Sequence, residues 1–188
     1  MDSTVFYGQT LLGESDVVTG AVSPNGLFKC YTTAAVAGAI ASTSSVPLLY
    51  NPPTSGVVLR ILTVRYGVVA GTVIAGSILY GLQSSPTLSV LTAGPTPINM
   101  FAGRGSSFQG LWYTTATIGA APSIVFPNGI SAGGALGAGP LFNMIDTVNG
   151  AIVLPPGTAF WPYLSNAALA LTALISVDVV QTPFLNTY

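Results

Sequence analysis

Few side chains in this sequence have the chemistry for proton transfer or nucleophilic attack, and their spacing narrows the possibilities further. The carboxylates are Asp2, Glu14, Asp16, Asp146 and Asp178, the cations are Lys29, Arg60, Arg65 and Arg104, Cys30 is the single cysteine, and histidine is absent. Glu14 and Asp16, two residues apart, would share one face of a strand, a spacing that suits a cation or an acid–base pair. With no His, Cys or further carboxylate at metal-ligand spacing, a solvated acidic loop is the better reading, and no metal site is assigned. A nucleophilic serine needs a base that a third group orients, and without histidine the only base left is Lys29. Gly103-Arg104-Gly105-Ser106-Ser107 and Gly133-Gly134-Ala135 carry the glycines of a phosphate loop. No Gly-Lys-Ser/Thr follows either, so that motif is absent. Cys30 lies in the strand-like run Leu27-Phe28-Lys29-Cys30-Tyr31 and reads as a small buried apolar side chain, with nothing beside it to activate a thiol. The expectation is a protein that is not an enzyme, with no catalytic residue, no cofactor-binding residue and no cofactor.

Charge is scarce throughout. Only 5% of residues are charged, the net charge is -1, and between Arg65 and Asp146 the one charged residue is Arg104. A nucleic-acid partner is excluded, because phosphate neutralisation needs clustered Lys and Arg. A helical membrane span is excluded too: it needs about 20 consecutive apolar residues, and every apolar run here is broken sooner by Pro, Ser, Thr, Asn or a charge. The start, Met1-Asp2-Ser3-Thr4-Val5, lacks the positive and apolar regions of a secretory signal, so synthesis and assembly in a cytoplasm are expected. A free domain normally carries about a quarter of its residues as charges, which oppose self-association. A chain this poor in charge is expected to cover much of its surface with other subunits, as a homo-oligomer.

These residues must be positioned by strands. The 22 Gly and 14 Pro break helices, while β-branched runs recur between turn signals. Strands are expected over Val57 to Tyr66, Thr72 to Tyr80, Phe108 to Ile118, Ala151 to Leu154, Ala159 to Leu164 and Leu169 to Val180, with Ala34 to Ala41 also extended. In Leu169 to Val180 the odd positions are all apolar, the alternation of a strand with one buried face. Around Ser165 to Ala168 one helical turn at most is expected. Ser84 to Pro97 and Ala120 to Pro140 read as long loops, the uncharged Ile130 to Gly139 suiting close subunit packing. Eight to ten strands without βαβ alternation predict an all-β antiparallel sandwich, a jelly roll, over residues 20–188. Residues 1–19, holding three of the five acidic side chains, are expected to form an arm that docks on a partner.

Arg60 and Arg65 stand five apart and are expected to project to opposite faces of one strand, with Asp146 and Asp178 as the candidate ion partners. Phe108, Trp112, Tyr113, Phe126, Phe142, Phe160, Trp161 and Tyr163 are read as core or interface aromatics. Trp161-Pro162-Tyr163 beside a turn is the alternative, an exposed platform for a sugar. Pro155-Pro156-Gly157 is expected to make a hairpin that sets the register between strands ending at Leu154 and starting near Thr158.

Two segments carry a resemblance. Leu48-Leu49-Tyr50-Asn51-Pro52-Pro53-Thr54-Ser55-Gly56-Val57-Val58-Leu59 resembles the opening of jelly-roll structural proteins of tailed bacteriophages: apolar, aromatic, Asn-Pro, small residues, Gly, then a strand. Gly150-Ala151-Ile152-Val153-Leu154-Pro155-Pro156-Gly157-Thr158-Ala159 is similar to a strand, Pro-Pro-Gly turn and strand near their C-terminus. Together they span well under a quarter of the chain. The final strand departs from the pattern, with Val177-Asp178-Val179-Val180 and then Pro183 where relatives have an aromatic-acidic-Pro strand. The resemblance implies a capsid decoration or cement protein made in a host cytoplasm and carried on the capsid surface of a virion. There it would bind between subunits of the major capsid protein, as a homotrimer. The alternative it leaves open is a tail, neck or fibre-associated jelly roll that binds a host-surface glycan.

Overall fold

A computed structural model describes residues 26–36, 45–71, 76–100, 107–132, 143–164 and 171–184. Eleven strands run through them in chain order: β1 Gly26–Val36, β2 Ser45–Asn51, β3 Val57–Gly71, β4 Gly76–Ser84, β5 Leu88–Ala93, β6 Ile98–Asn99, β7 Leu111–Ile118, β8 Ile124–Ala132, β9 Asn143–Leu154, β10 Thr158–Leu164 and β11 Leu171–Pro183. The β-branched and aromatic side chains of β3 and β11 fit a pleated, packed surface, which is why the longest ladder joins these two.

The strands form two antiparallel sheets, one in the order β6-β1-β11-β3-β9 and the other β5-β7-β2-β10-β4-β8. Removing β5, β6 and β7 from the eleven leaves eight strands, numbered 1 to 8 along the chain. Their order is then 1-8-3-6 in one sheet and 2-7-4-5 in the other. This is a jelly roll, in which each successive strand crosses to the opposite sheet save at one chain-adjacent pair. The segment from β5 to β7 is an insertion that extends both sheets on one flank, β5 and β7 beyond β2 and β6 beyond β1.

The core lies between the sheets. Leu59, Ile61, Val64, Tyr66, Ile175, Val177 and Val179 of one sheet meet Leu49, Tyr80, Leu82, Trp112 and Phe160 of the other, all buried. Polar links cross the same gap: Thr32 Oγ1 and Thr114 Oγ1 lie 3.0 Å apart, and Trp112 Nε1 donates to the Tyr31 carbonyl at 3.0 Å. The second sheet is apolar on its far face as well. In β10 Phe160 belongs to the inner core, whereas its neighbours Ala159, Trp161 and Tyr163 join Val46, Leu48, Ala116 and Ile118 in a separate buried cluster. Successive strand residues point to opposite faces, so this cluster lies outside the sandwich gap.

Several expectations change. Ser84 to Pro97 contains β5, and Ala120 to Pro140 contains β8. Both strands exist because they add to neighbours, β5 to β7 and β8 to β4, and tertiary pairing overrides the local turn signals. The expected strand over Phe108 to Ile118 starts at Leu111, and β2, Ser45–Asn51, is a strand outside those expected. Arg60 and Arg65 do not diverge. Asp178 pairs with Thr63 and Val179 with Ile61, so Leu62 is an extra residue in the β3 ladder. That bulge resets the alternation: Leu59 and Ile61 before it and Val64 and Tyr66 after it all face the core. Both arginines therefore stand on the outer face. The helical turn expected over Ser165 to Ala168, the arm over 1–19, and most of Ile130 to Gly139 lie outside the described residues.

Candidate interaction surface

The two segments that carry the resemblance meet at one end of the sandwich, and Asn51 joins them. This side chain is fully buried, and its Nδ2 donates to the carbonyls of Val57 and Leu154, each at 2.8 Å. The Asn51 main-chain carbonyl accepts the Gly157 N–H at 2.7 Å. One residue thus ties the end of β2 to the start of β3, the end of β9 and the turn into β10. The Pro53 region turns tightly, with Ser55 N–H donating to the Pro52 carbonyl at 3.0 Å, and Gly56 takes φ 67° where a side chain would be strained. In the partner turn Thr158 N–H donates to the Pro155 carbonyl and Gly157 has φ 82°, the geometry of a type II turn with Pro and Gly in its two central positions. This turn is no hairpin, however. Leu154 and Thr158 belong to different sheets, so the turn carries the chain across the sandwich.

A Cβ on Gly157 would come no closer than 3.8 Å to Pro53 Cγ, so space is available and only the backbone conformation resists substitution. Gly157→Val is expected to cost about 1–3 kcal/mol, a drop of several degrees in melting temperature by calorimetry. Gly157→Ala should lose a similar amount. Melting temperatures equal to that of the parent protein would show that the turn is not constrained in this way.

On the outer face of the first sheet, Asp178 of β11 lies between two cations. Lys29 Nζ of β1 is 3.1 Å from Asp178 Oδ1, and Arg65 Nη1 of β3 donates to Asp178 Oδ2. The carboxylate side chain is only 8% exposed, while Lys29 and Arg65 are 32% and 37% exposed. Of the two expected partners, then, it is Asp178 that Arg65 takes. Asp146 sits in register with Val64, on the interior side of β9. Its charge, after burial and Tyr80, helps hold the buried Tyr66 hydroxyl protonated far above the usual tyrosine range.

These placements bear on chemistry. The Cys30 thiol is buried, and burial first, then the Asp178 charge, pushes its pKa far above the ordinary thiol range. A thiol so held has almost no thiolate and is a packing group. Lys29, the sole base available to a serine, is engaged by Asp178. Among the described residues no three His, Cys, Asp or Glu side chains converge on a metal position. Glu14, Asp16 and Arg104 lie outside the described residues, as do Phe142, Gly133-Gly134-Ala135 and most of the Gly103 to Ser107 segment. Trp161 and Tyr163 are buried at 4% and 1% exposure, so Trp161-Pro162-Tyr163 is no exposed platform. Among the described residues no helix is long and apolar enough to cross a membrane.

What the surface does offer is uncharged and apolar. No described residue from Gly76 to Ala132 is charged. Of the eleven large hydrophobic side chains exposed among the described residues, Val90, Leu91, Ile98, Met100 and Leu111 belong to the β5–β7 insertion or its borders, which concentrates them on one flank. Val90 is the most exposed of all at 73% and is held at φ 48°. For a β-branched residue that backbone is a genuine outlier, costing on the order of 1–3 kcal/mol. It sits where Ser89 pairs with Thr117 but Thr92 with Thr115, a bulge that pushes Val90 and Leu91 out of the ladder.

Each sheet edge is blunted by its backbone. β5 has this bulge, β6 is two residues long, β8 contains Pro127, which cannot donate to a ladder, and β9 skips from Thr147 to Ile152 opposite Thr63 and Ile61. Asn149 and Gly150 in that last bulge both have positive φ. Such devices prevent strand-to-strand addition at the edges.

No family description, curated protein or solved structure matches the chain.

Proposed function

We propose that this protein is a structural component of a virion, a homotrimer that decorates a phage capsid and stabilises it by binding between subunits of the major capsid protein. The observation that carries the reading is the β5–β7 flank: uncharged, apolar and led by Val90. The isolated chain gains no burial there to offset the strained backbone. A permanent interface supplies it, because such interfaces resemble a domain core cut in half. The resemblance of residues 48–59 and 150–159 to jelly-roll virion proteins adds the capsid. Burial of Trp161 and Tyr163 counts against the glycan-binding alternative, which loses its aromatic platform.

The test is sedimentation, of the protein alone and then with capsids. Alone at micromolar concentration it should run as a trimer, and with capsids it should co-sediment in hundreds of copies per particle. A stable monomer would overturn the oligomer, and a dozen copies or fewer would place the protein at a tail or vertex. Val90→Gly separates folding from assembly. Glycine accepts φ 48° without penalty, so the melting temperature of the monomeric unit should hold or rise. Loss of a buried Val side chain, worth about 1.5–3 kcal/mol, should weaken association about tenfold or more. If association is unchanged, this flank is not the interface.

A further inference from the structure

Every cation among the described residues, Lys29, Arg60 and Arg65, stands on the outer face of the β6-β1-β11-β3-β9 sheet. Asp178 is the one described carboxylate on that face. Three positive charges less one negative leave a surplus of two, on a protein whose net charge is -1. Arg60 is exposed and makes no ion pair among the described residues.

The compensating charge lies in the sequence before β1. Residues 1–25 contain Asp2, Glu14 and Asp16 and no Lys or Arg, a side-chain charge of minus three. That segment joins the sheet at Gly26, and the junction is close to the cations. Leu27 pairs with Val180, and Val180 pairs with Arg60 on its other side. Chain entry and Arg60 therefore share one row across the sheet, two strand spacings or about 10 Å apart. Lys29 and Asp178 form the next row on the same face. Twenty-five residues can span about 80 Å when extended, far more than this sheet requires. A tethered segment also meets its own face at an effective concentration of about millimolar, which favours it over the same segment of another molecule.

We propose that residues 1–25 dock on the outer face of this sheet in their own chain, with the carboxylates of Asp2, Glu14 and Asp16 set against Arg60, Lys29 and Arg65. This differs from the expectation of an arm over residues 1–19 that docks on a partner, since the docking face here is the chain's own, and it does not depend on the capsid reading. The acidic segment is the occupant because it holds three carboxylates and no cation in 25 residues, the densest negative stretch in the sequence, and the face is the only place among the described residues where positive charge accumulates. Docked there, the segment would screen the Lys29–Asp178–Arg65 cluster from water and cover Leu27, Tyr31 and Thr63 around it.

Carbodiimide coupling of the full chain tests this directly, since Lys29 is the only lysine and each lysine amide formed must include it. The Lys29–Asp178 pair at 3.1 Å serves as the internal control. In an equal mixture of isotopically heavy and light protein, mass spectrometry should find Lys29 joined to Asp2, Glu14 or Asp16 in peptides of a single isotope. The yield of those peptides should fall severalfold in 1 M salt, where the screening length is about 3 Å. It should fall likewise in Arg60→Gln, a change at an exposed side chain that leaves the Lys29–Asp178 control intact. Lys29 coupled to Asp178 alone would overturn the proposal. So would yields indifferent to both salt and Arg60→Gln, and mixed-isotope peptides would give the face to the segment of a neighbouring molecule instead.

Discussion

Asn51→Asp is expected to be among the most damaging single substitutions in the described part of this protein, although it changes one NH2 group for an oxygen. The Asn51 amide donates to the Val57 and Leu154 carbonyls from a fully buried position. An ionised carboxylate is acceptor-only and would face both carbonyl oxygens with no donor between them. Two hydrogen bonds go and a charge is buried without a partner, for a combined loss of about 3–5 kcal/mol. For a chain of this size that is about 6–20 °C in melting temperature. The pH dependence has a definite sign. Burial among carbonyls raises the folded-state pKa of the new carboxyl above its unfolded value of about 3.9. Stability of the variant is then highest below that unfolded value, declines as pH rises through the interval between the two, and levels off above the folded one. Calorimetry at about pH 4 and pH 7 should therefore show a gap from the parent protein that is smaller at the lower pH. Asn51→Leu, which buries no charge, should lose less at pH 7 and show no such pH dependence. A melting temperature of Asn51→Asp within a degree or two of the parent at pH 7 would mean that Asn51 does not hold the two segments together.

Trp161→Ala tests the second apolar layer, with an expected loss of about 3–5 kcal/mol for truncating a buried indole. The indole is 4% exposed, on the far side of its sheet from the main core. Its seat is Gly81, the residue opposite it on β4. A Cβ on Gly81 would lie 2.6 Å from Trp161 Cε2, closer than packed atoms allow. Gly81→Ala alone should thus be destabilising through overpacking, by about 1–3 kcal/mol. In the Trp161→Ala background the same alanine meets empty space, and its cost should largely vanish. The two changes are expected to be strongly non-additive, with coupling in the range of about 0.5–3 kcal/mol seen for residues in contact. Additive effects, or a Trp161→Ala loss below about 1 kcal/mol, would return Trp161 to the role of an exposed aromatic. That outcome would revive the glycan-binding alternative.

The amino-acid sequence by itself determined the class of fold and the positions of two tight turns. Pro and Gly at Pro52-Pro53 through Gly56 and at Pro155-Pro156-Gly157 fix φ or admit positive φ wherever they occur, and Gly56 and Gly157 do adopt positive φ. Alternation of apolar positions in β11 needed no partner to be legible, and the buried, inert character of Cys30 followed from its neighbours. What only tertiary structure decided depends on pairing between distant strands. β5 and β8 look like loops until β7 and β4 supply their ladders. The common face of Arg60 and Arg65 depends on the extra residue at Leu62, because a bulge is a mismatch between two strands and leaves no mark on one of them alone. The apolar far face around Trp161 was hidden for a related reason. Pattern reveals that a side chain is apolar but not which of two sheet surfaces it will serve, and here both surfaces of one sheet are buried. The Asn51 junction is the clearest case. Its two carbonyl partners lie 6 and 103 residues away, and only closure of the sandwich brings them to one amide.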